Sequence, residues 1–143
     1  MVHVIAGGVV APENDFILPF FLDGAEPHGK LVRLGPALEK IKGNHTYPKV
    51  VAYLLAESLT LTALLASALK FEGVLSLQAK GDGAVSLLVC DATDRGELRG
   101  YARFNPDLLP SYKEEKKSAV NLLGEGYLAF TVNRGVKKNH TKG

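Results

Sequence analysis

The sequence predicts an α+β domain (α/β in the wider sense) with antiparallel or mixed sheets and one long buried helix. Residues from about 48 to 70 are almost free of charge, and residues from about 74 to 104 alternate between apolar and polar, as the strands of a meander do. A further alternating segment at about 127–132 predicts one more strand. The 143 residues are 46% hydrophobic and 22% charged, which is typical of a globular domain and excludes a largely disordered chain. We therefore expect a single domain spanning residues 1–143.

The N-terminal quarter predicts a loose arm followed by a pair of strands. Residues 1–15 end in a cluster of turn-forming residues, which predicts a loosely held arm. The apolar run at residues 16–22 contains Pro19, and proline donates no hydrogen bond, so this strand lies at an edge or carries a bulge. Residues 29–34 alternate in part and predict a second strand beside the first. A short helix follows at residues 37–41.

The long helix is predicted to lie inside the fold. Pro48 suits a first helical turn, where its missing N–H costs nothing, and Glu57 is the one charged residue between residues 50 and 69. Twenty helical residues span about 30 Å, enough to cross a bilayer. A carboxylate near the middle and several hydroxyl side chains argue against a membrane span. A helix that is apolar all round is otherwise one buried in a globular core.

The meander is the clearest strand pattern in the chain. Residues 74–80 alternate with period two, Gly81-Asp82-Gly83 predicts a turn, and residues 84–90 predict the second strand of a hairpin. Residues 98–104 complete the meander. The strand at 127–132 comes later in the chain, after a connector and a charged stretch.

Glu57 is predicted to be a buried charge. One hypothesis makes it an acid that tunes a function. The other makes it a carboxylate paired with Arg33, Arg99 or Arg103, because a buried charge without a partner is too costly to persist. The second hypothesis is favoured.

No group of residues predicts catalysis or metal binding. Cys90, the single cysteine, lies in an apolar run where a thiol behaves as a small buried hydrophobe. One cysteine is too few for a disulfide within the chain or for a cysteine-rich zinc site, and the four histidines are scattered. Nothing supplies a nucleophile, a base and an oxyanion donor together. We expect no catalytic, cofactor-binding or metal-ligating residues, and no enzyme activity.

Charge and N-terminal sequence exclude two further classes. The net charge of +2 comes from a basic tail without aromatic residues, and nucleic-acid-binding domains spread basic and aromatic residues over a face. The apolar start of the chain has no Lys or Arg ahead of it, so it makes a poor signal peptide. We expect a cytoplasmic protein that binds neither nucleic acid nor membranes.

Several ordered motifs resemble the redox-regulated 33 kDa heat-shock chaperones of bacteria, the Hsp33 family. The motifs run in family order over residues 15–133 and are GKLVRLG at 29–35, HTYP at 45–48, LKFEG at 69–73, LQAKGDG at 77–83, LRGYAR at 98–103 and LGEGYL at 123–128. The resemblance implies an ATP-independent holdase of the stress response, a chaperone that binds unfolding proteins. It also implies a fold of sheets packed on helices, followed by a linker and a small zinc domain.

The chain departs from the family in its cysteines. The family's zinc domain carries four cysteines, as a CxC and a CxxC pair, which bind zinc when reduced and form disulfides under oxidative stress. None of the four is found among these residues. The resemblance therefore implies the N-terminal part of the core domain, in a truncated form without zinc, cofactor or redox switch.

A holdase needs exposed apolar surface with charge nearby to keep it soluble. The predicted surface consists of apolar side chains of the first strand and the meander: Phe16, Phe20, Phe21, Tyr101 and Phe104. The predicted partners are unfolded or partly folded proteins and a second copy of the chain, paired through residues 16–22 or 127–132. The alternatives are a small-molecule-binding domain or enzyme with a pocket that the sequence does not reveal, and an inactive truncated homologue.

Overall fold

Two sheets and one long helix make up the fold. The computed structural model describes residues 2–3, 5–6, 15–20, 29–43, 45–110 and 119–134. Its elements are β1 (Val2–His3), β2 (Ile5–Ala6), β3 (Phe16–Phe20), β4 (Gly29–Arg33), α1 (Pro36–Gly43), α2 (Lys49–Ala68), β5 (Val74–Gly81), β6 (Val85–Thr93), β7 (Glu97–Phe104), a 3₁₀ turn (Pro106–Leu108), α3 (Ala119–Leu123) and β8 (Gly126–Asn133).

The larger sheet is antiparallel and has the order β1-β7-β6-β5-β8. The smaller sheet has the order β2-β3-β4, with β2 and β3 parallel. The meander is therefore confirmed as β5, β6 and β7, and the predicted last strand as β8, which forms an edge. The predicted α+β class with antiparallel and mixed sheets is confirmed.

Helix α2 lies across the larger sheet and contacts β5, β6 and β7. Val51, Leu55 and Leu59 are fully buried against the sheet, and each such side chain contributes about 1.5–3 kcal/mol of transfer free energy. Gly100 of β7 permits the close approach, because a Cβ atom there would lie 2.9 Å from Leu59 Cδ1. By length and composition alone α2 could cross a membrane, with a mean hydropathy of 1.7. Its contacts with the sheet are those of a core helix.

The prediction that α2 is buried all round is wrong on one side. Tyr53 and Leu61 are exposed, and so is Glu57, which lies between them one helical turn from each. The predicted burial of Glu57 is therefore wrong. The reason is that the larger sheet and β4 pack against α2 from other directions, and no described element covers the side on which Glu57 lies.

The prediction of a loose N-terminal arm is wrong for the part of it that is described. Val2–His3 pairs with β7, and Ile5–Ala6 pairs with β3. Asp15 is buried, and its carboxylate accepts hydrogen bonds from Gly35 N at 2.7 Å and Ala37 N at 2.9 Å. Asp15 thus satisfies N–H groups at the start of α1 that have no partner inside the helix.

Candidate functional site

The inner face of β8 is an apolar surface that no described residue buries. Pairing with β5 places Leu128 opposite Ala79, Phe130 opposite Leu77 and Val132 opposite Leu75. Paired residues lie on the same face of a sheet, and the β5 residues are buried under α2 at 2% exposure. The β8 residues are 58%, 45% and 42% exposed. We call Leu128, Phe130 and Val132 the β8 face.

The outer side of α2 is a second apolar surface. Tyr53 and Leu61 are exposed there, beside a shallow trough of about 430 Å³ that Ala56, Thr60 and Leu64 also line. The Thr60 hydroxyl donates to Ala56 O at 2.7 Å, so its polar atom is satisfied within the helix and the surface stays largely apolar.

The third apolar surface is the outer face of β3 and β4. Alternation places Phe16, Leu18 and Phe20 on one side of β3, while Ile17 points into the core. Leu18 pairs with Leu31, which is exposed, as is Phe20. The structure thus brings Phe16 and Phe20 to one surface, with Phe16 half-buried. Phe21, predicted for the same surface, lies outside the described residues.

Tyr101 and Phe104 do not share a surface. Tyr101 is exposed and stacks edge-on against His45, with ring centroids 5.6 Å apart. Phe104 is half-buried and packs against the core and against Tyr47 at 6.2 Å. The placement of Phe104 on the solvent side is wrong, because residues three apart in a strand point to opposite faces.

The HTYP segment covers part of the edge of β7 beyond the residues that pair with β1. The Tyr47 hydroxyl accepts a hydrogen bond from Ala102 N at 3.3 Å, while His45 contacts Tyr101 on the other side of the strand. Burial of the Tyr47 hydroxyl raises its pKa. This segment therefore protects a sheet edge, which sequence reasoning did not predict.

Asp91, like Asp15, is a buried acid of this fold, whereas Glu57 is exposed. The Asp91 carboxylate accepts from Ser76 Oγ at 2.6 Å and from Arg99, whose guanidinium forms an ion pair with it. The three residues are cross-strand neighbours in β5, β6 and β7. Arg99, one of the predicted partners of Glu57, is therefore paired elsewhere. The hairpin register was the signal that could have found this triad.

Comparison with known proteins assigns this chain to a family. Residues 15–143 match the sequence profile of the family described as Hsp33 protein. The chain belongs to the Hsp33 family. The 33 kDa chaperonin of Caulobacter vibrioides (strain NA1000 / CB15N) is 38% identical over 140 residues, which are 94% of this chain and 46% of the relative.

Two further Hsp33 comparisons agree with this assignment. The 33 kDa chaperonin of Pseudomonas savastanoi pv. phaseolicola is 38% identical over 122 residues, 85% of this chain and 39% of the relative. The crystal structure of the 33 kDa chaperonin of Thermotoga maritima is 25% identical with a TM-score of 0.65, and the match covers 76% of this chain and 37% of that one. This chain thus spans less than half the length of these Hsp33 proteins.

The zinc site expected of the family does not fit the residues present here. Cys90 is fully buried under α2, and burial raises the pKa of its thiol to about 12 against the opposing effect of a hydrogen bond with Thr62. A metal ligand is a thiolate, so this thiol is a poor one. Within the described ranges, no three His, Cys, Asp or Glu side chains are grouped so that they could hold a metal ion.

A half-enclosed cavity of about 260 Å³ lies between α2, β3 and the β6–β7 turn. Its walls are small and apolar, and the polar residues at it are Ser67, Thr93, Asp94 and Arg95. The Ser67 hydroxyl donates to Leu64 O at 2.7 Å, so it is not activated by a base. The cavity therefore does not supply the paired nucleophile and base of an enzyme.

Proposed function

We propose that this chain is an ATP-independent holdase that binds unfolding proteins through exposed apolar surface. The observation that carries the proposal is the β8 face, whose three large side chains are exposed although their neighbours in β5 are buried. Contiguous exposed apolar surface of this kind marks an interaction site in a soluble protein. Apolar contact is non-directional, so such a surface accepts many different unfolded sequences.

Charge around the β8 face supports the same function. Glu125 and Arg134 flank the two ends of β8. Both are exposed. Charged residues at the rim keep a chaperone and its bound protein in solution, while the uncharged centre makes the contact.

Membership of the Hsp33 family supports the chaperone class, since the relatives are named 33 kDa chaperonins. We propose that residues 1–143 form one domain that corresponds to the N-terminal part of the family's core. We further propose a cytoplasmic location and no enzyme activity, since the described residues offer apolar surface rather than a constellation for catalysis.

The proposal is tested by light scattering from a client protein that unfolds on heating, without nucleotide. The wild-type chain is expected to suppress the scattering at a few-fold molar excess. The double variant Leu128→Ser/Phe130→Ser should need a several-fold higher concentration, because it removes the centre of the β8 face. Tyr127→Ser is the matched control, since Tyr127 is equally exposed on the opposite face of the same strand.

Wild-type suppression that is unchanged in the double variant would move the binding site away from β8. No suppression at any concentration would exclude the holdase and favour the inactive homologue. Thermal unfolding of each variant, followed by circular dichroism, shows that a loss of activity is not a loss of fold.

We also propose that two copies of the chain pair through the outer edge of β8. Among the described strands, β8 has a neighbour on one side only, and residues 126–133 contain neither proline nor charge, the usual protections of an edge. Hydrogen bonds to a second copy would lie in the plane of the sheet, while side chains stand perpendicular to it. The edge and the β8 face are therefore separate surfaces.

Sedimentation at micromolar concentration tests the pairing. The wild type is expected to sediment as a dimer, and Ala129→Lys, which puts a charge on the edge strand but off the β8 face, as a monomer. A monomeric wild type over the whole concentration range would contradict the pairing and leave the holdase proposal in place.

A further inference from the structure

A groove between α1 and α2 continues onto the outer side of α2. The groove has a volume of about 490 Å³. Its apolar lining comes from the end of β4, from α1, from the HTYP segment and from α2, and consists of Leu34, Leu38, Tyr47, Ala52, Tyr53 and Ala56. Tyr53 and Ala56 also line the trough on the outer side of α2. The two depressions therefore share a boundary and form one apolar channel along α2.

One end of this channel is positively charged. Lys42 and Lys49 line the groove. Lys42 Nζ forms an ion pair with Glu39 Oε1 at 3.6 Å. The Lys49 ammonium lies 5.9 Å from the centroid of the Tyr53 ring. No carboxylate in the described part of the chain forms an ion pair with Lys49. The groove end therefore carries a net positive charge beside an aromatic ring.

The part of the channel on the outer side of α2 carries a negative charge. Glu57 lines the trough and is exposed, and within the described ranges it has no ion-pair partner. Glu57 follows Lys49 by eight residues in the same helix, a separation of about 12 Å along the axis. The channel thus has an apolar floor with opposite charges about 12 Å apart along it.

We propose that this channel binds one short apolar segment of an unfolding protein, with an acidic residue beside Lys49 and a basic residue beside Glu57. The proposal rests on the holdase function and names the class of segment that the chain prefers. The apolar floor supplies the affinity. The charges supply orientation, because exposed pairs change binding by only about 2- to 5-fold each.

Exchange of the two charges tests this proposal through peptide binding. The probes are fluorescein-labelled extended peptides that share a three-residue apolar centre, which places the two flanks about 13 Å apart. They differ in their flanks: acidic at one end and basic at the other, acidic at both ends, or basic at both. The wild-type chain should bind the mixed peptide most tightly at low salt, measured by fluorescence anisotropy.

The variants give the direction of the effect. Lys49→Glu should weaken the peptide with two acidic flanks about 5-fold and strengthen the peptide with two basic flanks. Glu57→Lys should do the reverse. Lys70→Glu is the matched control, because it makes the same charge change at an exposed position beyond the end of α2, and it should leave the order of the three peptides unchanged.

Peptide affinities that respond equally to Lys49→Glu and Lys70→Glu would overturn the proposal. The net charge of the protein, rather than the charge at the channel, would then explain the affinities. Absence of peptide binding in a chain that still suppresses client scattering would also overturn it and would leave the holdase function intact. Charge-selective peptide binding in a chain that suppresses no scattering would uphold the channel and contradict the holdase function.

Discussion

Strands β5 and β8 are neighbours with the same alternating pattern, but the apolar side chains of β5 are buried and those of β8 are exposed. Leu77 and Phe130 face each other in the ladder and point to the same side of the sheet. Leu77 is 2% exposed and Phe130 is 45% exposed. Helix α2 lies over the first and leaves the second open. The difference teaches that alternation specifies the face on which a side chain lies, whereas the neighbouring element decides whether that face is covered.

The largest expected effect compares these two residues by substitution. Leu77→Ala should reduce the free energy of unfolding by about 2–5 kcal/mol, because it opens a cavity under α2. Phe130→Ala should change it by no more than about 0.5 kcal/mol, as for other exposed positions. Urea unfolding followed by circular dichroism measures both. Similar losses in the two variants would show that the β8 face is covered in solution.

The second prediction concerns the solvent side of the covered strands. Asp91→Asn should cost about 1–3 kcal/mol of unfolding free energy, because Asp91 is buried and holds both Arg99 and Ser76. Ser76→Ala is the control and should cost less, since the pair with Arg99 remains. If urea unfolding finds the reverse order, the hydroxyl rather than the ion pair stabilises this side of the sheet.

These contrasts show what the sequence could predict. The period change near residue 70 predicted α2 and the meander, and alternation predicted β8, because local periodicity determines both kinds of element. The exposure of Glu57 was not predictable in this way. A helix that is apolar on every side has no polar stripe to show which side faces solvent.

Contacts between distant segments were also beyond local reasoning. Asp15 satisfies the start of α1 from twenty residues away in the chain, and no local spacing indicates that pairing. The Asp91–Arg99 pair joins neighbouring strands eight residues apart, and its position follows only once the hairpin register is fixed. Of the three apolar surfaces, only the one on β3 was predicted, because the exposure of each face depends on the elements that pack against it.

The third prediction concerns the pH dependence of stability that the buried Cys90 thiol causes in the part of the sheet covered by α2. Burial raises the pKa of Cys90 from 9.0 to about 12, so above pH 9 the unfolded chain loses this proton while the folded chain keeps it. The folded state then binds more protons, and its stability falls as pH rises from 9 to 12, by up to about 1.4 kcal/mol per pH unit.

Urea unfolding from pH 8 to 10.5 measures that slope in the wild type and in Cys90→Ala. The variant is expected to be less stable at pH 8 and to show a flatter decline above pH 9. Parallel curves for the two proteins would mean that solvent reaches Cys90 in the native state, and that α2 does not seal the covered half.

The smallest expected effects are those of oxidant, reductant and chelator, which should change neither activity nor stability. Peroxide and thiol reductant should leave client suppression unchanged, because the single thiol is buried and protonated. A chelator should leave the unfolding temperature unchanged, and elemental analysis should find no stoichiometric zinc. Activation by peroxide that Cys90→Ser abolishes, or one zinc retained per chain, would contradict this prediction.

Carbene footprinting in the presence of a reduced, carboxymethylated and hence permanently unfolded protein tests the central claim most directly. We expect the unfolded protein to lower labelling of Leu128, Phe130 and Val132 several-fold. Labelling of Leu108, which is 59% exposed in the 3₁₀ turn, should stay constant. Equal protection of Leu108 and the β8 face, or no protection of the β8 face, would contradict the claim that β8 binds unfolding proteins.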